Sequence, residues 1–310
     1  MKPGEARKKK NMTTNRETNA EVARLIARHH EQSLKNRFPN IISISDAVRD
    51  IGDPQDSHVV AIYLRDDKTS GIPSKLDANM PDGSIKSINT EIITGAGVGE
   101  IYFSQKDMIQ TSGGLSSGSI CCKVDTNKGF NAIVTSGHVY SCGKNTDYKG
   151  ILDVSMQTPV MFNGANIGTW YFQKINFNTD IALFKVSDPA LLSDVKSFAG
   201  HYIVTDKDVC QTRVVLLSQV YGERTGYILD HNKKYDIPYN VTETKFNVIR
   251  IGSSTARNDS VQISERGDSG GCVFEPTSGK LVGIILGGDG KFTFVLPLKE
   301  LFDSCNFKLL

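Results

Sequence analysis

The chain has 310 residues, 39% of them hydrophobic and 23% charged, with a formal net charge of +2 at pH 7. That composition builds ordinary globular cores and excludes a disordered chain, and its scattered glycines exclude a collagen-like fibre. A near-neutral balance gives the chain as a whole no electrostatic reason to seek nucleic acid, so none is expected as a partner. The longest apolar runs, such as Val59 to Leu64 and Leu281 to Leu286, fall far short of the roughly 20 residues a spanning helix needs, so no membrane partner is expected either. Six cysteines are too few for a disulfide scaffold.

Residues 1–17 are polar and basic, with Lys2, Arg7, Lys8, Lys9 and Lys10 close together, and read as a disordered tail. They lack the apolar stretch of a secretory signal, which leaves the cytoplasm as the default expectation. Residues 18–94 read as a small α/β unit. From Asn19, the residues Val22, Leu25, Ile26 and Leu34 recur at helical spacing, which predicts an amphipathic helix ending before Pro39. His58 to Leu64 and Ile88 to Thr94 predict strands on either side of a Gly/Pro/Asp-rich stretch. Gly95, Gly97 and Gly99 follow without the helix and lysine that a phosphate-cradling loop requires, and read as a linker.

Residues 95–310 form the third segment, and after about Ser112 its texture is all-β. Short runs (Ser119 to Val124, Phe130 to Thr135, Ile181 to Val186, Val214 to Val220, Val248 to Ile251, Leu281 to Leu286, Phe292 to Leu296) are separated by turn residues. That spacing suits a sandwich or barrels. Pro297-Leu-Lys-Glu-Leu-Phe predicts a short C-terminal helix with Pro297 near its first turn.

Three motifs stand in this region in the order His, Asp, Ser: Val134-Thr-Ser-Gly-His138-Val, Asn178-Thr-Asp180-Ile-Ala-Leu-Phe and Arg266-Gly-Asp-Ser269-Gly-Gly271. A serine hydroxyl is a weak nucleophile at neutral pH, so it needs a base within reach and a buried carboxylate to orient that base. Asp147, Asp153 and Asp188 compete for the carboxylate role; the alternation of Ile181, Leu183 and Lys185 behind Asp180 favours it. The glycines around Ser269 let the backbone turn so that the amides of Gly267 and Ser269 can both face a developing oxyanion. A zinc site from Cys121, Cys122, His138 and Cys142 is disfavoured, because adjacent strand residues face opposite sides.

With these motifs the sequence resembles the chymotrypsin-like (trypsin-fold) serine peptidases over residues 95–310, nearest in texture to their bacterial secreted branch. The resemblance implies a mainly β fold of two packed six-stranded antiparallel barrels, here preceded by the small α/β segment. It implies a serine endopeptidase acting on polypeptide substrates through an acyl-enzyme, with no cofactor and no metal. His138, Asp180 and Ser269 match the catalytic residues, and the amides of Gly267 and Ser269 the oxyanion hole. Ile263, Ser264, Gly287 and Gly288 match the substrate pocket, which lacks a carboxylate at its floor and so favours uncharged side chains. Tyr221-Gly-Glu-Arg-Thr-Gly226-Tyr resembles a hairpin of the bacterial branch that supplies an internal cation, which makes Arg224 the partner expected for Asp268. With that cation in place, activity without removal of residues 1–94 is the expectation. Two positions depart from the pattern: Val139 replaces a cysteine, and Leu286 a serine that supports the aspartate. Cys121 or Cys122 could still pair with Cys142. A catalytically inactive binding protein on the same fold, or a nucleophile limited to esters or self-cleavage, are the alternatives.

Overall fold

A computed structural model describes residues 21–48, 58–80, 83–96, 100–101, 109–111, 117–141, 159–162, 165–176, 179–193, 195–218, 221–239 and 242–310. The basic tail, Gly97, Gly99, Cys142, Asp147 and Asp153 lie outside them. The chain divides into two compact units, residues 1–98 with 256–258 and residues 99–255 with 259–310.

In the first unit, helix α1 (residues 21–37) lays Val22, Ala23, Ile26, Ala27 and Leu34 against a four-stranded sheet. Its strands are β1 (Ile41–Val48), β2 (His58–Leu64), β3 (Lys75–Asn79) and β4 (Ile85–Ile93), in the order β1-β2-β4-β3. β2 runs parallel to β4 and all seven of its residues are buried, which is why it reads as a continuous apolar run. β3 alternates strictly between exposed and buried positions.

The second unit carries β5 (Glu100–Ile101), β6 (Ile109–Thr111), β7 (Ser117–Gly118), β8 (Cys122–Asp125), β9 (Asn131–Thr135), helix α2 (Gly137–Ser141), β10 (Pro159–Phe162), β11 (Ala165–Asn176) and β12 (Thr179–Val186). β13 (Arg213–Ser218), β14 (Gly222–Tyr239), β15 (Thr242–Gly252), β16 (Cys272–Glu275), β17 (Lys280–Gly288), β18 (Thr293–Leu296), helix α3 (Lys299–Cys305) and β19 (Lys308–Leu309) follow. Eight of these strands form one antiparallel sheet in the order β19-β8-β9-β12-β11-β10-β6-β7.

That sheet must curl. Laid flat, β7 and β8 would stand six strand spacings, about 29 Å, apart. Only Ser119 to Cys121 separate them in the chain, and four residue steps reach at most about 14 Å. The curled sheet encloses Ile133, Val139, Val160, Trp170, Ala182 and Phe184. The other sheet, β16-β13-β14-β15-β18-β17-β5, closes through an added β16–β17 pairing into a six-stranded barrel around Val214, Leu216, Ile228, Ile251, Val273 and Val295. The architecture is therefore the mainly β, trypsin-like arrangement of two antiparallel barrels. Among the described residues no helix is long and apolar enough to cross a membrane.

Candidate active site

His138 is the second residue of α2, three positions after β9 ends, and Asp180 is the second residue of β12, the neighbour of β9 in the sheet. The two are held at two points. The His138 amide donates to Asp180 Oδ1 at 2.9 Å, and Nδ1 lies 2.5 Å from Oδ2. Gly137 makes this approach possible, since a Cβ there would stand 2.8 Å from Asp180 Oδ1 and 3.0 Å from the Ile181 amide nitrogen. A carboxylate only accepts, so the proton between them sits on Nδ1 and Nε2 is left with its lone pair. Both side chains are buried. Asp188 lies after β12, on the exposed surface, where its carboxylate accepts from the Ala190 amide.

The turn at residues 265–271 carries Ser269. Gly267 and Gly270 have φ of 105° and 89°, a left-handed backbone that favours glycine. The first barrel grips this turn: the Ser119 amide donates to Ser269 O at 2.7 Å and the Ser119 hydroxyl to Gly267 O at 2.9 Å. Ser136, two residues before His138, donates to Ile285 O at 3.1 Å, and Gly270 N donates to the same carbonyl at 2.9 Å. Val139, where the resembling family has a cysteine, faces Gly118, whose added Cβ would meet Val139 Cγ2 at 2.4 Å. These ties bring His138, Asp180 and Ser269 to one junction between the barrels.

The Ser269 hydroxyl donates to the carbonyl oxygen of Leu286 at 2.9 Å, so in this structure its hydrogen bond goes to the main chain and not to the imidazole. The amides of Asp268, Gly270 and Gly271 donate to Glu265, Ile285 and Asp268 carbonyls. Among the described residues none accepts from the amides of Gly267 or Ser269, the two expected to face an oxyanion. Asp268 is fully buried, and Arg224 Nη2 stands 2.5 Å from its Oδ2, with the Glu265 amide 2.7 Å from the same oxygen.

Of the expected pocket residues, Ile263 packs against the apolar interior of the second barrel, beside Gly226. The Ser264 hydroxyl lies 3.4 Å from Gly287 O, and Gly288 lies so close to the Gln262 amide that a Cβ would meet Oε1 at 2.2 Å. Two residues that sequence reading passed over hold this wall. Thr293 Oγ1 accepts from the Ser264 amide at 2.9 Å and donates to the Ser264 hydroxyl at 2.8 Å, while Gln262 Nε2 donates to Ser264 O at 2.7 Å. A hydroxyl between Phe292 and Phe294 in a buried strand was the available signal for Thr293.

Cys272 follows the Ser269 turn, and burial pushes its thiol up to about 12; burial and the neighbouring Cys122 push Cys121 well above the ordinary thiol range. Neither offers a thiolate at neutral pH. Cys121, Cys122, Cys272 and Cys305 carry free thiols, and among the described residues no group of three His, Cys, Asp or Glu side chains could hold a metal ion.

The chain is similar in structure to several bacterial serine proteases. A Nocardiopsis protease shares 16% identity over 68% of this chain and 97% of its own, with a TM-score of 0.44. A chymotrypsin of Cellulomonas bogoriensis shares 17% over 66% and 96%, with a TM-score of 0.44, and protease A of Thermobifida fusca 19% over 69% and 97%, with a TM-score of 0.43. No family model matches the chain, and no curated protein matches it.

Proposed function

We propose that this protein is a serine endopeptidase. His138 Nε2 takes the Ser269 proton as Oγ attacks a peptide carbonyl, Asp180 holds the imidazole and balances its charge, and the Gly267 and Ser269 amides receive the oxyanion. The same histidine then protonates the leaving amine, and water releases the acyl group from Ser269. The observation that carries this reading is the two-point clamp of His138 on Asp180, with amide and ring held at once at 2.9 and 2.5 Å. It fixes ring orientation and tautomer together, at the junction where Ser269 sits. Substrates are polypeptides with an uncharged residue before the scissile bond, because a lysine or arginine side chain beside Ser264, Thr293 and Gln262 would be desolvated without a carboxylate partner.

The Ser269 to Leu286 hydrogen bond favours a second reading, a non-catalytic binding protein on the same fold. Reaction with a fluorophosphonate separates the two. The endopeptidase reading expects one label per chain, on Ser269, and none in Ser269→Ala. An unlabelled wild-type protein would support the binding protein.

A further inference from the structure

Within the second unit, α3 and the second barrel border a cavity of about 620 Å³ that His138, Asp180 and Ser269 do not line. One wall is apolar: Ile249, Val282, Leu296 and Leu301, from β15, β17, β18 and α3. The opposing polar wall takes Lys174 and Thr179 from β11 and β12 of the first barrel and His201 from the segment between the barrels. An enclosed apolar surface with a few polar groups set into it is the usual form of a small-molecule site, and the volume is in the usual range.

The charges of the wall select the ligand. Lys174 is half-buried, and among the described residues no carboxylate pairs with it. The other cations have partners: Lys299 Nζ stands 2.6 Å from Asp303 Oδ2, and His231 Nε2 stands 2.8 Å from Asp206 Oδ1. The remaining acid of the wall, Glu300, is exposed, where water and salt screen it. His201 packs edge-on against Phe302, with ring centroids 5.2 Å apart. Burial, and then the neighbouring Lys299, hold its imidazole below the ordinary range, so at neutral pH it is an uncharged ring that can donate one hydrogen bond. A half-buried cation and a neutral donor thus stand over an apolar surface.

We infer that this cavity binds a small amphipathic carboxylate, with its alkyl chain on Ile249, Val282, Leu296 and Leu301 and its head group on Lys174 and His201. The site is separate from the nucleophile's. Residues paired across β11 and β12 share a face, and Lys174 pairs with Ile181 while Ile175 pairs with Asp180. Lys174 and Thr179 therefore lie on one face, and Gln173 and Asp180 on the other. On that other face Gln173 Nε2 donates to Gly137 O at 2.9 Å, beside the His138 clamp on Asp180. The ligand lies behind the strands that hold the histidine, and the inference stands apart from the endopeptidase reading.

Calorimetric titration of the full-length chain with decanoate tests it, beside decyltrimethylammonium, which carries the same alkyl chain on a cationic head. The expected result is one decanoate per chain, with decyltrimethylammonium at least tenfold weaker. Lys174→Met, which keeps the stem and removes the charge, should weaken decanoate about tenfold or more. Lys174→Glu should reverse the preference between the two head groups. No binding of decanoate up to about 1 mM, equal binding of both probes by the wild type, or unchanged decanoate binding by folded Lys174→Met would each overturn the inference. The wild-type comparison of head groups decides the matter even if a variant does not fold. Neither probe is a peptide, so failure here leaves the endopeptidase reading to fluorophosphonate labelling, and an unlabelled chain that binds decanoate leaves this inference in place.

Discussion

Arg224 reaches Asp268 from β14, with Nη2 2.5 Å from the carboxylate, while its Nη1 donates to Ile263 O at 2.9 Å. One guanidinium thus ties the residue before Ser269 to the wall that carries Ser264. Asp268 is 0% exposed, and removing its cation strands a buried charge.

Arg224→Ala should therefore lower stability by about 3 kcal/mol and depress turnover more than it weakens substrate binding. Arg224→Lys should recover less than half of either, because a point-like ammonium cannot serve both acceptors in the geometry of the planar fork. Urea unfolding read beside kcat and KM checks this, and an unchanged midpoint in Arg224→Ala contradicts it.

Thr293→Val keeps the shape of the pocket wall but leaves the Ile263 and Ser264 amides without their acceptor. The expected loss is about 1–3 kcal/mol of stability, with KM rising more than kcat falls. Cleavage profiling of a peptide library should return uncharged, chiefly apolar residues before the scissile bond. A profile dominated by lysine or arginine contradicts the pocket described above.

Glu275 closes the β16–β17 turn, its carboxylate accepting from the Thr277 and Ser278 amides at 2.7 Å each. Burial alone would raise its pKa, but the hydrogen bonds from Ser278 and Thr277 outweigh that and hold it at about 2, below the ordinary 4.5. A pKa depressed by folding adds stability above the unfolded value, lost as pH falls through the folded one. Glu275→Gln should then be less stable than wild type at pH 7, and the gap should close between about pH 4.5 and 2. Thermal midpoints across that range measure it; a gap independent of pH would contradict the capping role.

Native protein treated with iodoacetamide should be modified at Cys305 well before Cys121, Cys122 or Cys272. Cys305 is half-buried, the other three are buried, and burial holds the Cys272 thiol at about 12. Peptide mapping decides the order. Labelling of Cys272 at the rate of Cys305 would show that the turn behind Ser269 opens in solution.

The strands legible in the sequence were those whose pattern carries its own reason. β2 is one apolar run, and β12 sets Ile181, Leu183 and Phe184 beside Asp180. β3, with the sequence Lys-Leu-Asp-Ala-Asn, and β14, rich in charges, were hidden because they hold few apolar or β-branched side chains and owe their strand character to the neighbours they pair with, β4 for β3 and β13 and β15 for β14. β5 is the extreme case: two residues become a strand only because Gly287 and Gly288 lie opposite. At the candidate site, side-chain motifs singled out His138, Asp180 and Ser269 as the residues to consider. The Leu286 carbonyl that takes the Ser269 proton bond is main chain, and no residue identity could reveal it.

The central claim, that His138 and Ser269 work as one catalytic unit, is tested most directly by peptide hydrolysis in wild type, Ser269→Ala, His138→Ala and the double variant. Each single change should lower turnover by several orders of magnitude, and the double change should lower it at most a few-fold further, because groups that act together are lost together. Turnover near the wild-type level in Ser269→Ala would contradict the account.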